Sequence, residues 1–365
     1  MYLSYEAIKR VHLEITSRCN AACPQCQRTA KEGGVNPTLP MGELSLADIE
    51  SIFVAELCGR LEHIWICGNF GDAMVSDTTI PGIEYFHRKG VKQVTLHTNG
   101  SGRNKEWWRD LAEAMSGPKD RVTFGIDGLE DTNHLYRRNT RWGKIMESVE
   151  AFIASGGNAV WDFLVFEHNE HQVEEARALA KKMGFSRFRP KATFRFAASD
   201  INSEANRELV NVRNNKGDLI GMLKLPVNEQ YRNPDLDKVS RIIKNQGLEQ
   251  YYQTTDIHCR TQADESVFVS FEAELWPCCW TANRKYDQGD TPYKQQIRNL
   301  YNRYGPDFNS LRKHPLSEVV SSPWFRYDLV KSWSCEPPLS DRPERLFICG
   351  RQCGREFNPR VSQYL

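Results

Sequence analysis

Residues 13–29 read LEITSRCNAACPQCQRT: three cysteines in a C-x3-C-x2-C arrangement, directly behind a β-branched run, Val11 to Thr16, that predicts a first strand. Similar short runs recur at His63 to Cys67, Val91 to His97, Arg121 to Asp127, Ala159 to Phe166 and Ser186 to Phe196. Between them lie segments with helical apolar spacing, such as Leu46, Ile49, Phe53 and Leu57, or Val173, Ala176, Ala180 and Met183. Strand and helix alternate at roughly thirty residues a unit, which predicts parallel strands joined by right-handed crossovers and hence an α/β fold, a β/α barrel open or closed. Loops that carry chemistry then belong at the strand C-termini, where the three cysteines stand.

Composition bounds the rest. A chain of 365 residues is long enough for one large domain and a smaller one. The formal net charge of +1 gives no overall field toward nucleic acid or an anionic membrane, although it leaves room for a local basic patch. The N-terminal MYLSYEAIKRVHLEITSRC lacks the apolar core and cleavage site of a secretory signal, and no run reaches membrane-spanning length, so a cytoplasmic location without a membrane partner is expected. Nucleic-acid binding through FSRFRPKATFRF (185–196) is not expected, because strand alternation sends Phe188 and its flanking arginines to opposite faces. Composition turns polar and Asn-rich near Asp200, in NVRNNKGD and NEQYRNPD, which places a connecting segment at 201–250 between a first domain, 1–200, and a second, 251–365.

Eleven cysteines in a reducing cytosol read as metal ligands or reactive thiols rather than a disulfide framework, and they fall into two groups. Cys19, Cys23 and Cys26 on one short loop can ligate three irons of a [4Fe-4S] cube and leave the fourth iron without a protein ligand. A structural zinc would want a fourth ligand, and neither His12 nor His63 has a recognisable ligand spacing. Cys259, Cys278, Cys349 and Cys353 suit one complete [4Fe-4S] cluster, with tetrahedral zinc as the alternative. FVSFEAELWPCC (268–279) reads as a hairpin running into cysteines, and LSEVVSSPWFRYDL (316–329) as an amphipathic helix. Spacing from the hairpin favours Cys278 over Cys279 as a ligand. Cys335 reads as unliganded and Cys58 as a buried small hydrophobe.

C-x3-C-x2-C behind a first strand resembles the signature loop of the radical S-adenosylmethionine (SAM) superfamily. The resemblance implies a partial (β/α)6 TIM-type barrel with a small C-terminal α+β auxiliary-cluster domain. It also implies SAM bound through the open iron and cleaved reductively to a 5'-deoxyadenosyl radical, which abstracts a substrate hydrogen. ICGNFGD (66–72) resembles the glycine-rich turn that meets the SAM amino group, with Gly68, Asn69, Phe70, Gly71 and Asp72 where Gly-Gly-Glu is usual. HTNGS (97–101) and GIDG (125–128) resemble segments near the SAM ribose and the substrate, making Asn99, Ser101 and Asp127 cofactor-binding candidates beside their plainer reading as caps and turns. Arg189, in RFRPK, could pair with the SAM carboxylate. The C-terminal half resembles the SPASM and twitch auxiliary-cluster extensions; it has six cysteines where full SPASM has seven, which implies one auxiliary [4Fe-4S] cluster.

These readings predict an enzyme acting on a small or medium polar substrate, by oxidation, epimerisation or rearrangement, at the barrel mouth under the auxiliary domain. Only 18 residues precede Cys19, which leaves no room there for an N-terminal peptide-recognition domain. Peptide or protein modification of the RiPP type is the alternative, and a non-catalytic zinc or iron-sulfur binding protein the second. The implied partners are a small-molecule or peptide substrate and a reducing electron donor such as flavodoxin or ferredoxin. Cys67, at a strand end, could donate a hydrogen atom to a substrate radical; packing beside the SAM loop is its plainer reading. Glu14, His12, His97 and Asp127 stand near strand ends as candidate acid-base groups.

Overall fold

The computed structural model describes residues 1–197, 208–334 and 344–356. Its strands are β1 (Arg10–Leu13), β2 (His63–Ile66), β3 (Val94–Thr98), β4 (Arg121–Gly125), β5 (Ala159–Val165), β6 (Arg187–Ala192), β7 (Leu209–Arg213), β8 (Leu219–Lys224), β9 (Ser266–Val269) and β10 (Leu275–Trp276). Eight form one sheet in the order β10-β9-β1-β2-β3-β4-β5-β6, while β7 and β8 pair separately. From β1 to β6 every neighbouring pair is parallel and every crossover carries a helix, so the core is a partial (β/α)6 barrel of the α/β class.

Period-2 alternation divides each strand between two environments. Ile64, Ile66, Val94, Leu96, Val122 and Phe124 are fully buried in the hydrophobic core. Their neighbours His63, Trp65, Thr95, His97, Arg121 and Thr123 line the barrel interior, which is therefore polar and aromatic rather than filled with branched aliphatics.

Several elements end where local chemistry stops them. The apolar face from Leu46 to Leu57 is split into two helices, Leu46–Ile52 and Ala55–Arg60, and the Phe53 carbonyl between them accepts from the Tyr85 hydroxyl at 2.9 Å. Val91, expected in the third strand, instead closes the helix Thr79–Arg88: Gly90 turns left-handed at φ 93° and the Val91 N–H bonds the Phe86 carbonyl at 3.0 Å. The helix expected at 316–329 is interrupted, running Leu316–Val320 and resuming at Trp324 behind Pro323. Segment 201–250 contains, from residue 208 onward, the β7–β8 hairpin and the helix Asp235–Asn245, and the next helix, Leu248–Thr254, runs across its end. Cys335 lies outside the described residues. Among the described residues no helix is long and apolar enough to cross a membrane.

The C-terminal hairpin joins the barrel sheet. β9 runs parallel to β1, with Arg10 opposite Ser266 and Leu13 opposite Val269, and β10 returns antiparallel, with Trp276 opposite Phe268. Chain leaving β10 therefore emerges at the N-terminal end of β1, opposite the end from which the first cysteine loop departs.

Trp161 ties the barrel to its outer layer: it is fully buried and its indole N–H donates to the Ile126 carbonyl at 2.8 Å. Trp161→Ala should lower the free energy of unfolding by about 3–5 kcal/mol, read from the urea midpoint and slope.

Candidate active site

One cavity of about 1200 Å³ runs through the barrel, lined at the C-terminal end of the strands by Cys19, Cys23 and Cys26 and at the N-terminal end by Arg10, Ser266 and Cys278. The two cysteine groups thus stand at opposite ends of β1. β10 carries Cys278 away from the mouth, while Tyr286 and Gln288 of the same C-terminal segment reach the first cysteine loop: the Asn36 and Thr38 side chains donate to the Tyr286 carbonyl at 2.9 and 2.8 Å, and the Gln288 amide donates to the Thr29 carbonyl at 3.2 Å.

At the upper end, burial pushes the Cys23 thiol up to about 11 and the Cys19 thiol further. Polar donors converge on the same sulfurs. The Arg137 guanidinium is 3.9 Å from Cys23 Sγ and the Asn99 amide 3.8 Å from Cys19 Sγ, while the Ala21 N–H donates to Cys19 Sγ at 3.4 Å. Arg137 is aimed by Asp127, whose Oδ2 it meets at 2.6 Å, and Asp127 Oδ1 accepts from the Leu164 N–H at 2.5 Å. Asp127 is thus engaged from two sides, and burial raises its pKa against the pull of Arg137.

The turn 68–72 is clamped onto the chain entering the cysteine loop. A side chain on Gly71 would stand 1.7 Å from the Thr16 carbonyl, and one on Gly68 1.9 Å from the Gly71 carbonyl, so both positions require glycine. Glu14 lies under the turn and accepts from the Phe70 N–H at 2.8 Å and the Gly71 N–H at 3.2 Å; burial nevertheless pushes its carboxyl up to about 7. Asp72 Oδ2 accepts from both the backbone and the side chain of Asn99 at 2.7 Å. The Asn99 amide also donates to Asn20 at 2.9 Å, and Asn20 to the Ser101 carbonyl at 2.7 Å. The Ser101 hydroxyl accepts from the Arg141 N–H at 2.8 Å.

Mid-barrel, His12 stacks on Trp65 with centroids 4.4 Å apart and its Nε2 lies 2.7 Å from the Cys67 carbonyl. His97 meets Trp65 edge-on at 5.3 Å, and burial pushes its pKa down to about 3. Asp162 sits between Arg189, at 2.5 Å, and Lys191, at 3.2 Å; burial works against its charge, but the two cations outweigh it and its pKa is lowered. Burial pushes the Cys67 thiol, which also lines the cavity, up to about 12.

At the lower end, Cys259, Cys278, Cys349 and Cys353 are drawn from three places in the chain. Cys349 and Cys353 share one face of the helix Phe347–Cys353, which packs so closely on Tyr252 that a side chain at Gly350 would stand 2.7 Å from the Tyr252 Cα. Cys259 and Cys353 share a hydrogen bond that raises the first thiol and lowers the second. Burial, then the charge of its neighbours Cys278 and Cys353, raises Cys349. Cys279 is buried as the first residue of the helix Cys279–Asn283 and lines the same cavity as Cys278. The Tyr2 hydroxyl closes this end, 2.7 Å from the Ser266 carbonyl and 2.9 Å from that of Pro277.

Among the described residues, no three His, Cys, Asp or Glu side chains are arranged to hold a single metal ion. The two donor sets are all-thiol, of three and four cysteines, with Cys23 buried and the other six partly buried; thiolates in such numbers are the ligand type that iron-sulfur clusters take. Arg137, Asn20, Asp162 and Lys191 escaped the sequence reading. Arg137 lies in LYRRNT, a polar stretch with no periodicity to mark it, and Lys191 in RFRPK, where cations alternate throughout; Asp162 carried a signal, a charged residue in a strand otherwise apolar.

Residues 13–180 match a family model described as the Radical SAM superfamily. A stretch of 153 residues is 29% identical to a probable GTP 3',8-cyclase of Methanopyrus kandleri, covering 41% of this chain and 45% of that protein, so the match spans less than half of the relative. Among solved structures, Streptococcus suis SuiB bound to S-adenosylmethionine aligns at 11% identity and TM-score 0.44, over 80% of this chain and 63% of SuiB. Native anSMEcpe with bound AdoMet and Kp18Cys peptide aligns at 11% identity and TM-score 0.51, over 95% of this chain and 90% of that one. At such identity the anSMEcpe likeness is one of fold.

Glu14 supplies a pH test. Its folded pKa lies above the usual 4.5, at about 7, so the folded state keeps a proton that the unfolded chain has lost. Stability from this group is full below pH 4.5 and falls as pH rises toward 7, by up to about 3 kcal/mol. Glu14→Gln should abolish that part of the slope in urea titrations at pH 5, 6 and 7; parallel wild-type and variant profiles would refute the assignment.

Proposed function

We propose that this chain, a radical SAM enzyme by its domain over residues 13–180, abstracts hydrogen from a small or medium polar substrate held inside the barrel, for oxidation, epimerisation or rearrangement. The observation that supports the reading is the cavity of about 1200 Å³ lined by thiols of both cysteine groups, which leaves room for a substrate between them. The family implies a [4Fe-4S] cluster and SAM. Cys19, Cys23 and Cys26 would hold that cluster, and Cys259, Cys278, Cys349 and Cys353 one auxiliary [4Fe-4S] cluster. Bound at the first site, the cluster supplies the electron that splits SAM into methionine and a 5'-deoxyadenosyl radical.

The chain's own residues do the positioning. The turn Gly68, Asn69, Phe70, Gly71 and Asp72 is assigned to the SAM amino group, Asn99, Ser101 and Asp127 to the adenosyl side and Arg189 to the SAM carboxylate. Arg137 reaches Cys23 Sγ with a charge-assisted donor and offsets thiolate charge there. His97, kept neutral by burial, and the Asp162 ion triad line the wall that a polar substrate would meet. Cys67, held as a thiol, is assigned as the hydrogen-atom donor in an epimerising reaction. The division into domains 1–200 and 251–365 with a connection at 201–250 belongs to the same proposal, as does an electron carrier such as flavodoxin or ferredoxin for a partner. Peptide modification is the second reading, favoured by the fold likeness to anSMEcpe, whose structure holds a peptide.

Anaerobic reconstitution with iron and sulfide counts, paired with a 5'-deoxyadenosine assay in SAM and dithionite, tests the proposal. About eight irons and deoxyadenosine formation are expected, the latter lost in Cys19→Ala. Cys353→Ala should lower the count to about four irons while leaving SAM cleavage measurable. Absence of cleavage in fully loaded wild-type protein would overturn the reading.

A further inference from the structure

A second pocket, of about 320 Å³, lies on the outer side of the first cysteine loop. Its lining comes from three segments: Ala22, Thr29 and Gly34 of the loop itself, Arg138 and Asn139 from the stretch after β4, and Arg213 to Lys216 with Asp218 at the β7–β8 turn. The parts are fitted together closely. The Ala22 N–H donates to the Arg138 carbonyl at 3.0 Å, and a side chain on Gly33 would stand 2.1 Å from the Asn214 carbonyl. The turn is internally braced, with Asn214 Oδ1 accepting from the Lys216 N–H at 2.8 Å and the Asp218 N–H at 3.0 Å.

Two properties make this more than a surface dent. Among the described residues its charged lining is Arg138, Arg213 and Lys216 against Asp218, a local cationic patch on a chain whose formal net charge is only +1. Its wall is the cysteine loop: Thr29 faces both this pocket and the barrel cavity, Ala22 adjoins Cys23, and Arg137, next to Arg138, is 3.9 Å from Cys23 Sγ.

We propose that this pocket and its rim are the docking surface for the protein that delivers the electron, a small acidic one-electron carrier of the flavodoxin or ferredoxin type. The inference rests on the proposed reading of Cys19, Cys23 and Cys26 as cluster ligands. In each encounter the reduced carrier gives up one electron and is oxidised, and the cluster gains it. The patch steers an acidic partner by its field and sets the orientation that brings the carrier's redox centre against the loop. Arg138 and Lys216 act on the carrier and take no part in holding SAM.

The test uses reconstituted full-length enzyme and two reductants, dithionite and a flavodoxin reduced to its hydroquinone. Arg138→Glu combined with Lys216→Glu should weaken flavodoxin binding, measured by calorimetry, by about tenfold or more and remove most of its salt dependence. Flavodoxin-driven deoxyadenosine formation should show a matching rise in KM, while dithionite-driven formation and iron content stay at wild-type values. Unchanged flavodoxin affinity in the double variant would overturn the docking proposal, as would an equal loss with dithionite. Loss of dithionite-driven cleavage in the wild type would instead strike the proposed function, so the two failures are distinguishable.

Discussion

The rest of the structure depends on the four residues of β1. Arg10 to Leu13 are hydrogen-bonded in parallel to β2 on one side and β9 on the other, so a single short strand carries both halves of the molecule. Its C-terminal continuation supplies Glu14 beneath the glycine turn and Thr16 against Gly71, and then the three cysteines. At its N-terminal end lie the Tyr2 hydroxyl and the chain leading into Cys278. A slip of one residue in either pairing would turn His12 out of the cavity and Leu13 into it.

Among the described residues, the buried acids Asp72, Asp127 and Asp162 inside the barrel each have a compensating partner. Asp127 is satisfied by Arg137 and a backbone N–H, Asp72 by Asn99, Asp162 by two cations. A buried ion pair of this kind contributes little net stability, since desolvation offsets the attraction, but removing one partner leaves a costly charge behind. Its use here is orientation: Asp127 fixes the guanidinium that reaches Cys23. The interior is polar at successive levels, His63 with Thr95, His12 with Trp65 and His97, then Cys67, which keeps it open where an aliphatic barrel would fill.

Much of the fold was legible because the hydrophobic period alternated cleanly between strand and helix. The six barrel strands all form, and the expected helix over Val173 to Met183 forms and ends at Gly184 in the left-handed conformation, φ 89°. Strand ends were less legible, since Val91 is as apolar as a strand residue and is claimed instead by a helix C-cap. Of the site, the cysteine spacing stood out, because ligands on one loop are close in sequence as well as in space. Arg137 and Lys191 did not, because nothing local to LYRRNT or RFRPK says which neighbour each charge will meet.

The sequence by itself determined the element order, the thiol loop after the first strand and the count of cysteines near the C-terminus, since each follows from spacing within a few residues. Only the tertiary structure decided where those two thiol groups stand. The hairpin 268–279 reads the same whether it lies over the barrel mouth or alongside β1, and hydrogen bonding of β9 to β1 in parallel register sends Cys278 to the far end of the cavity. That pairing joins residues more than two hundred positions apart, and its cause is the open edge of β1, a row of backbone donors and acceptors that burial obliges to find partners.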